Sequence, residues 1–143
     1  KEVVSPKFYL FDTGVARALA GRAREPLEAA ERGALLETWV LHEVRAACAA
    51  ADLGGQFHYW RTPSGSEVDI VWTRGSRAVG IEVKAAATWR PEHGAVLRGL
   101  LEQRVLTAAH GVHTGTFELK DGPVHVWPVR GFLRELAAGG ILG

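Results

Sequence analysis

Residues 66–85 read SEVDIVWTRGSRAVGIEVKA, and their pattern decides the fold. Two runs rich in β-branched residues, 66–73 and 78–85, flank the short turn signal Arg74-Gly75-Ser76-Arg77. If Gly75 and Ser76 centre the turn, antiparallel partners carry residue numbers that add to 151. Val68 is then expected opposite Val83, Ile70 opposite Ile81 and Trp72 opposite Val79, all toward one face. The other face receives Asp69 opposite Glu82, and Glu67 opposite Lys84. A slip of one residue would scatter both sets, so the apolar face specifies the register.

Two opposed carboxylates with Cβ atoms about 5 Å apart repel each other unless a positive group lies between them. A divalent cation meets that need, and carboxylate oxygens suit Mg²⁺ or Mn²⁺. Lys84 follows Glu82 by two residues on the same strand and reaches the same place. There an ammonium can orient a water or offset charge on a phosphate. The competing reading is an ordinary solvated hairpin face, with Glu67 and Lys84 as a pair worth a few tenths of a kcal/mol. The directly opposed Asp69 and Glu82 argue against it, because like charges in that position destabilise a sheet.

Working outward, residues 7–11 (KFYLF) are expected as a short strand, followed by a helix capped by Asp12 and Thr13 and stopped at Gly21. A second helix is predicted from Leu27 to about Ala51, ended by Asp52 and Gly54-Gly55. Its apolar stripe gathers Leu27, Ala30, Ala34, Leu41, Val44 and Cys48, and Glu37 falls inside it. A carboxylate facing a core is costly unless it is paired, protonated or bound to a metal. Two readings of Glu37 stay open: a place at the core's rim bonded to an arginine such as Arg61, or a third acidic group aimed at Asp69 and Glu82. Residues 56–61 form a further strand, separated from the hairpin by Pro63-Ser64-Gly65. Downstream, a helix over 92–104, strands near 110–119 and 123–128 joined at Asp121-Gly122, and a helix over 130–138 complete the chain. Helix, three-strand meander, helix and further strands imply an α/β or α+β domain with one mixed sheet packed on helices.

The 143 residues suit a single core, and 47% hydrophobic with 23% charged residues are globular values. A net charge of +1 neither announces nor excludes a nucleic-acid partner. The lone Cys48 excludes a disulfide framework and a cysteine zinc site. It reads as a small buried apolar residue. The six histidines lack zinc-type spacing, and no serine stands with a neighbouring His and Asp as a nucleophile. Arg61, Arg90 and Gln103 are candidate phosphate contacts, and Trp89 with Arg90 a candidate base-stacking pair. Arg74 and Arg77 read as a solvated turn. No apolar run approaches the roughly 20 residues of a membrane span, and no signal-peptide pattern opens the chain, so a soluble cytoplasmic setting is expected. The sequence has no methionine and opens at Lys1, as an internal piece of a longer polypeptide would.

The runs KFYLFDTGVARAL (7–19), GALLETWVLHEV (33–44), YWRTPSGSEVDIVW (59–72), AVGIEVKAAA (78–87) and VHVWPVRGFLREL (124–136) together carry a resemblance. They resemble the uncharacterised C-terminal domain that follows an AAA-type ATPase module in many bacterial and archaeal proteins. Its specific part is the combination of a GxxxE helix, an EVD strand and an IEVK strand. That domain is similar to members of the PD-(D/E)XK, restriction-endonuclease-like superfamily. The resemblance implies a mixed sheet flanked by helices, with the active antiparallel hairpin at its centre. By motif, Asp69 corresponds to the first acidic ligand, Glu82 and Lys84 to the (D/E)XK pair, and Glu37 to the helix-borne glutamate. Together with the carbonyl of Val83, these carboxylates would surround Mg²⁺ or Mn²⁺. The reaction implied is hydrolysis of DNA phosphodiesters, with Lys84 assisting the water. The alternative is a catalytically inactive module that docks onto the ATPase, another subunit or DNA. Residues 1–20 would link to an upstream ATPase and winged-helix region, with 1–6 as its last trace, and 21–143 would form the nuclease-like domain. Some superfamily nucleases add a Gln and a Tyr on the helix after the IEVK strand; Gln103 corresponds to the first, and no tyrosine follows it. No GxxxxGK[ST] loop occurs, so no ATP site of that kind is expected here.

Overall fold

The computed structural model describes residues 7–62 and 65–143. Its elements run α1 (Thr13–Leu19), α2 (Ala29–Ala50), β1 (Gln56–Arg61), β2 (Glu67–Arg74), β3 (Arg77–Lys84), α3 (Pro91–Glu102), β4 (Ala108–His113), β5 (Leu119–Asp121), β6 (Val124–Pro128) and α4 (Val129–Ala137). The segment 1–6 and most of the Pro63-Ser64-Gly65 turn lie outside the described residues.

Six strands form one mixed sheet in the order β1-β2-β3-β4-β6-β5. The meander β1-β2-β3 is antiparallel, β3-β4 and β4-β6 are parallel, and β5-β6 is a hairpin closed around Gly122-Pro123. The β2-β3 hairpin is therefore not the centre of the sheet. The centre is the parallel β3-β4 pair, because α3 carries the chain across the sheet between those strands, as a parallel connection requires. The expected strand 110–119 also divides. Its first part becomes β4 and only its last residue, Leu119, enters β5, with bends at Thr114–Thr116 between them.

Near its turn the hairpin follows the side-chain period: Ile70 faces Ile81, Trp72 faces Val79 and Arg74 faces Arg77. The ladder stops at Ile70–Ile81, so the expected Asp69–Glu82, Val68–Val83 and Glu67–Lys84 pairs do not form. The reason lies on the other side of β2. His58 faces Val71 but Trp60 faces Val68, so Asp69 and Ile70 together oppose Tyr59 in a β-bulge. The extra residue turns Val68 to the same side as Val71, and both join the core beneath α3.

Both faces of the sheet are covered. Ile70, Trp72, Val79, Ile81 and Val83 pack against Val40, Leu41, Val44 and Cys48 of α2 and against Phe132 and Leu136 of α4. Val68, Val71, Ala109 and Val126 pack against Leu97 and Leu100 of α3, with Trp89 and Leu106. The hairpin face that carries Glu82, for which a solvated surface was the competing reading, is thus largely a second core, since the crossover helix lies over it. On α2 the buried stripe begins at Val40; Ala30 and Ala34 are exposed, as is Leu27, which lies before the helix starts at Ala29. Those first turns extend past the core and meet α1 through an Arg17–Glu31 ion pair of 2.9 Å. Asp12 caps α1 by accepting the Val15 N–H at 2.8 Å, as its sequence position requires. Gly55, with φ of 92°, lets the α2–β1 connection lie on Trp72: a Cβ there would stand 2.4 Å from the indole Nε1. No helix among the described residues is long and apolar enough to cross a membrane.

Residues 7–11 are not a strand. They pair with no strand and are held instead by side chains at one end of the sheet.

Candidate functional site

The bulge and the end of the β2-β3 ladder leave the carboxylate of Asp69 beside unpaired backbone. Asp69 Oδ2 accepts the N–H of Val83 at 2.9 Å, so the side chain takes up a donor beyond the last ladder pair. Asp69 Oδ1 lies 3.4 Å from the ammonium of Lys7. Asp69 and Glu82 are each only 5% exposed.

Glu82 stands between Ile81 and Val83, whose side chains face α2, so alternation places Glu82 on the α3 face. Its parallel neighbour there is Gly111, over which the Trp89 ring lies. Lys84 donates to Glu82 Oε1. Glu82 Oε2 is buried and has no hydrogen-bond partner among the described residues.

Glu37 belongs to α2, on the opposite face. Its Oε1 accepts from Lys7 at 2.9 Å and from the Tyr9 hydroxyl. Glu37 is thus joined to Asp69 through Lys7, and its partner is not Arg61, which sits exposed at the end of β1 opposite Glu67.

Burial raises the Asp69 carboxyl above its ordinary range, and the Glu37 charge adds to this against the Val83 N–H and the two lysines. Burial, then the charge of Asp69, pushes Glu82 up to about 7 although Lys84 opposes the shift. Burial works against the Lys7 ammonium, but Glu37, Asp69 and Glu67 outweigh it and hold that group above its usual value. Lys84 is held up in the same way by Glu82 and Asp69 against its own burial.

The remaining expected residues lie elsewhere. Trp89 is 7% exposed and donates through Nε1 to Asp121 at 3.0 Å, so it packs the core and offers no platform for a base. Arg90 is exposed at the N-cap of α3, with Glu92 at 3.9 Å. Gln103 lines a cavity of about 330 Å³ with Trp60, Thr62, Ser66, Val96 and Leu100. His110 and His113 are buried in β4, where His110 Nδ1 accepts from Trp127 at 3.1 Å. Among the described residues no three His, Cys, Asp or Glu side chains are gathered as a ready-made metal shell. Layering explains this in part, because Glu37 comes from α2 on one face of the sheet and alternation along β3 sets Glu82 on the other. The two lysines explain the rest, each already seated on a carboxylate.

A family model described as "Domain of unknown function (DUF4143)" matches residues 32–132, well over half of the chain. The chain belongs to the DUF4143 family. The matched region contains Glu37, Asp69, Glu82 and Lys84 and begins after Lys7 and Tyr9. Comparison with curated proteins finds no match.

In this DUF4143 chain Lys7 and Tyr9 are the residues that sequence reasoning missed. Their signal was the alternation within KFYLF, which sets both on one side of an extended run and Phe8 on the other.

Proposed function

We propose that this chain is a nuclease-like domain of the PD-(D/E)XK, restriction-endonuclease-like kind. In this reading it is a Mg²⁺- or Mn²⁺-dependent phosphodiesterase acting on DNA beside an AAA-type ATPase module of the same polypeptide in the cytoplasm. The observation that carries the reading is the buried pair Asp69 and Glu82, with one Glu82 oxygen left unpartnered among the described residues and a lysine on the same strand. An unsatisfied buried acceptor costs roughly 1–3 kcal/mol, more if charged. A hard cation is the partner that two carboxylates suit. Asp69 and Glu82 would hold it, with the carbonyl of Val83 and with Glu37 as the further carboxylate. Such an ion supplies an activated water and charge neutralisation at a phosphate. Lys84 holds Glu82 in place and carries a positive charge to the same point, where it can take a phosphate oxygen or orient the water.

The test is cleavage of plasmid and single-stranded DNA with Mg²⁺ or Mn²⁺ by the native protein, Asp69→Ala and Lys84→Ala. The expected outcome is cleavage by the native protein alone, with each variant slower by about 100-fold or more. Equal rates in all three proteins, or none in any, contradict the proposal. A second reading, a non-catalytic docking module, is favoured by one observation: Lys7 already balances Glu37 and Asp69. It is the reading left standing if none of the proteins cleaves.

A further inference from the structure

Residues 7–10 reach the acidic site from outside the sheet and are held there by side chains. Lys7 Nζ lies 2.9 Å from Glu37 Oε1 and 3.4 Å from Asp69 Oδ1, and 5.8 Å from the centre of the Tyr59 ring. Tyr9 donates to the same Glu37 oxygen, and His42 Nε2 donates to the carbonyl of Leu10 at 2.6 Å. The segment belongs to no strand, and none of residues 7–11 makes a backbone hydrogen bond to a neighbouring strand among the described residues. Phe8 and Phe11 are 85% and 76% exposed, so of the segment's three aromatic side chains only Tyr9, partly buried against the α2-side core, leaves that core on release. A piece of chain tied down in this way can open locally while the sheet stays intact.

The ammonium of Lys7 bridges two carboxylates that come from separate elements, Glu37 from α2 and Asp69 from β2 of the sheet beneath it. Bridging carboxylates from separate elements is also what a bound divalent ion does, at oxygen distances of roughly 2.1 Å for Mg²⁺. The two cations cannot share the place. We propose that residues 7–9 are a built-in plug of the acidic site: Lys7 holds the cation's position beside Asp69, and a divalent ion enters when this segment withdraws. The proposal rests on the reading of Asp69 and Glu82 as metal ligands. It makes Lys7 a gatekeeping residue, and it predicts that metal loading and the position of the N-terminal segment are coupled. Because the coupling is reciprocal, whatever draws residues 7–9 away favours the ion, and the ion favours their release.

Two measurements on the whole chain test it. Calorimetric titration with Mn²⁺ is made on the native protein, Lys7→Met, Tyr9→Phe and Arg32→Gln, the last an equal charge change on the exposed part of α2. Acylation of Lys7 is followed by mass spectrometry in the native protein with and without saturating Mn²⁺. The expected result is at least tenfold tighter binding by Lys7→Met, a smaller gain for Tyr9→Phe, little change for Arg32→Gln, and faster Lys7 acylation once Mn²⁺ is bound. Native binding that Lys7→Met does not tighten beyond Arg32→Gln overturns the plug and leaves the metal site standing; unchanged Lys7 acylation in Mn²⁺ does the same. If Lys7→Met does not fold, the acylation rate of the native protein decides. No Mn²⁺ binding by any of these proteins removes the metal reading itself, and the plug with it.

Discussion

Glu82 and His110 are buried titratable groups that bias the protein in opposite directions. Glu82 is pushed up to about 7, by burial first and then by Asp69. The folded state therefore holds a proton that the unfolded chain, with an ordinary carboxyl, has released. Its stabilising contribution is complete below about pH 4.5 and is lost as pH rises through about 7. His110 is lowered to about 4, by burial first and then by the charges of His125 and Lys120. Its contribution is complete above about pH 6.5 and is lost as pH falls toward 4. Each amounts to about 3 kcal/mol at most. Urea unfolding between pH 4 and 8 in chelator should show a shallow profile for the native protein, because the two slopes offset. Glu82→Gln should become more stable as pH rises across that window, and His110→Asn, which keeps an acceptor for Trp127, should become less stable. A Glu82→Gln profile parallel to the native one would contradict this picture. At this scale a period of two read from the turn put Glu82 and Lys84 on one face of β3, where they meet, but it did not place Asp69, which the bulge takes out of the ladder. For Lys7 the sequence offered only the alternation within KFYLF, because its partner Asp69 lies 62 residues away and its segment joins no ladder.

The elements show where counting failed. From the turn to Ile70 the hairpin arithmetic holds, and beyond it the bulge at Asp69-Ile70 cancels it. Nothing in the hairpin's own sequence marks that bulge, since it arises in pairing with β1, a strand whose register depends on the connection before it. The covered second face was also missed, although Val71 and Gly80 between the charges are the residues that a packed helix wants beneath it. Gly111 belongs to the same pattern. A Cβ there would stand 2.5–2.9 Å from three ring carbons of Trp89, a rigid side chain further fixed by its bond to Asp121. Gly111→Ala should therefore destabilise the protein by about 1–3 kcal/mol and disturb the wall beside Glu82. Gly99→Ala, in α3 with nothing within 4 Å of the new methyl, should stabilise by about 0.5–1 kcal/mol through helix propensity. Urea midpoints of the two variants check the pair, and equal effects would show that the Trp89 contact is slack.

For the whole molecule, the alternation of helix, meander, helix and strands was enough for a mixed α/β sheet with helices, and each of the four helices lies close to where its caps and apolar pattern put it. The placement of the hairpin was not legible, because strand order depends on a crossover that only tertiary packing reveals. The outcome matters for function. With α2 and α4 on one face and α3 on the other, Glu37 and Glu82 approach the hairpin's end from opposite layers, and the bulged Asp69 stands between them with Lys7 against it. The central claim is that this meeting point is a divalent-cation site. It is tested most directly by anomalous diffraction from crystals soaked in Mn²⁺. The account predicts one ion bound by Asp69 and by Glu82 Oε2 at roughly 2 Å, with Lys7 withdrawn from Asp69. Crystals at saturating Mn²⁺ with no anomalous peak there, and with Lys7 still between Glu37 and Asp69, would contradict it.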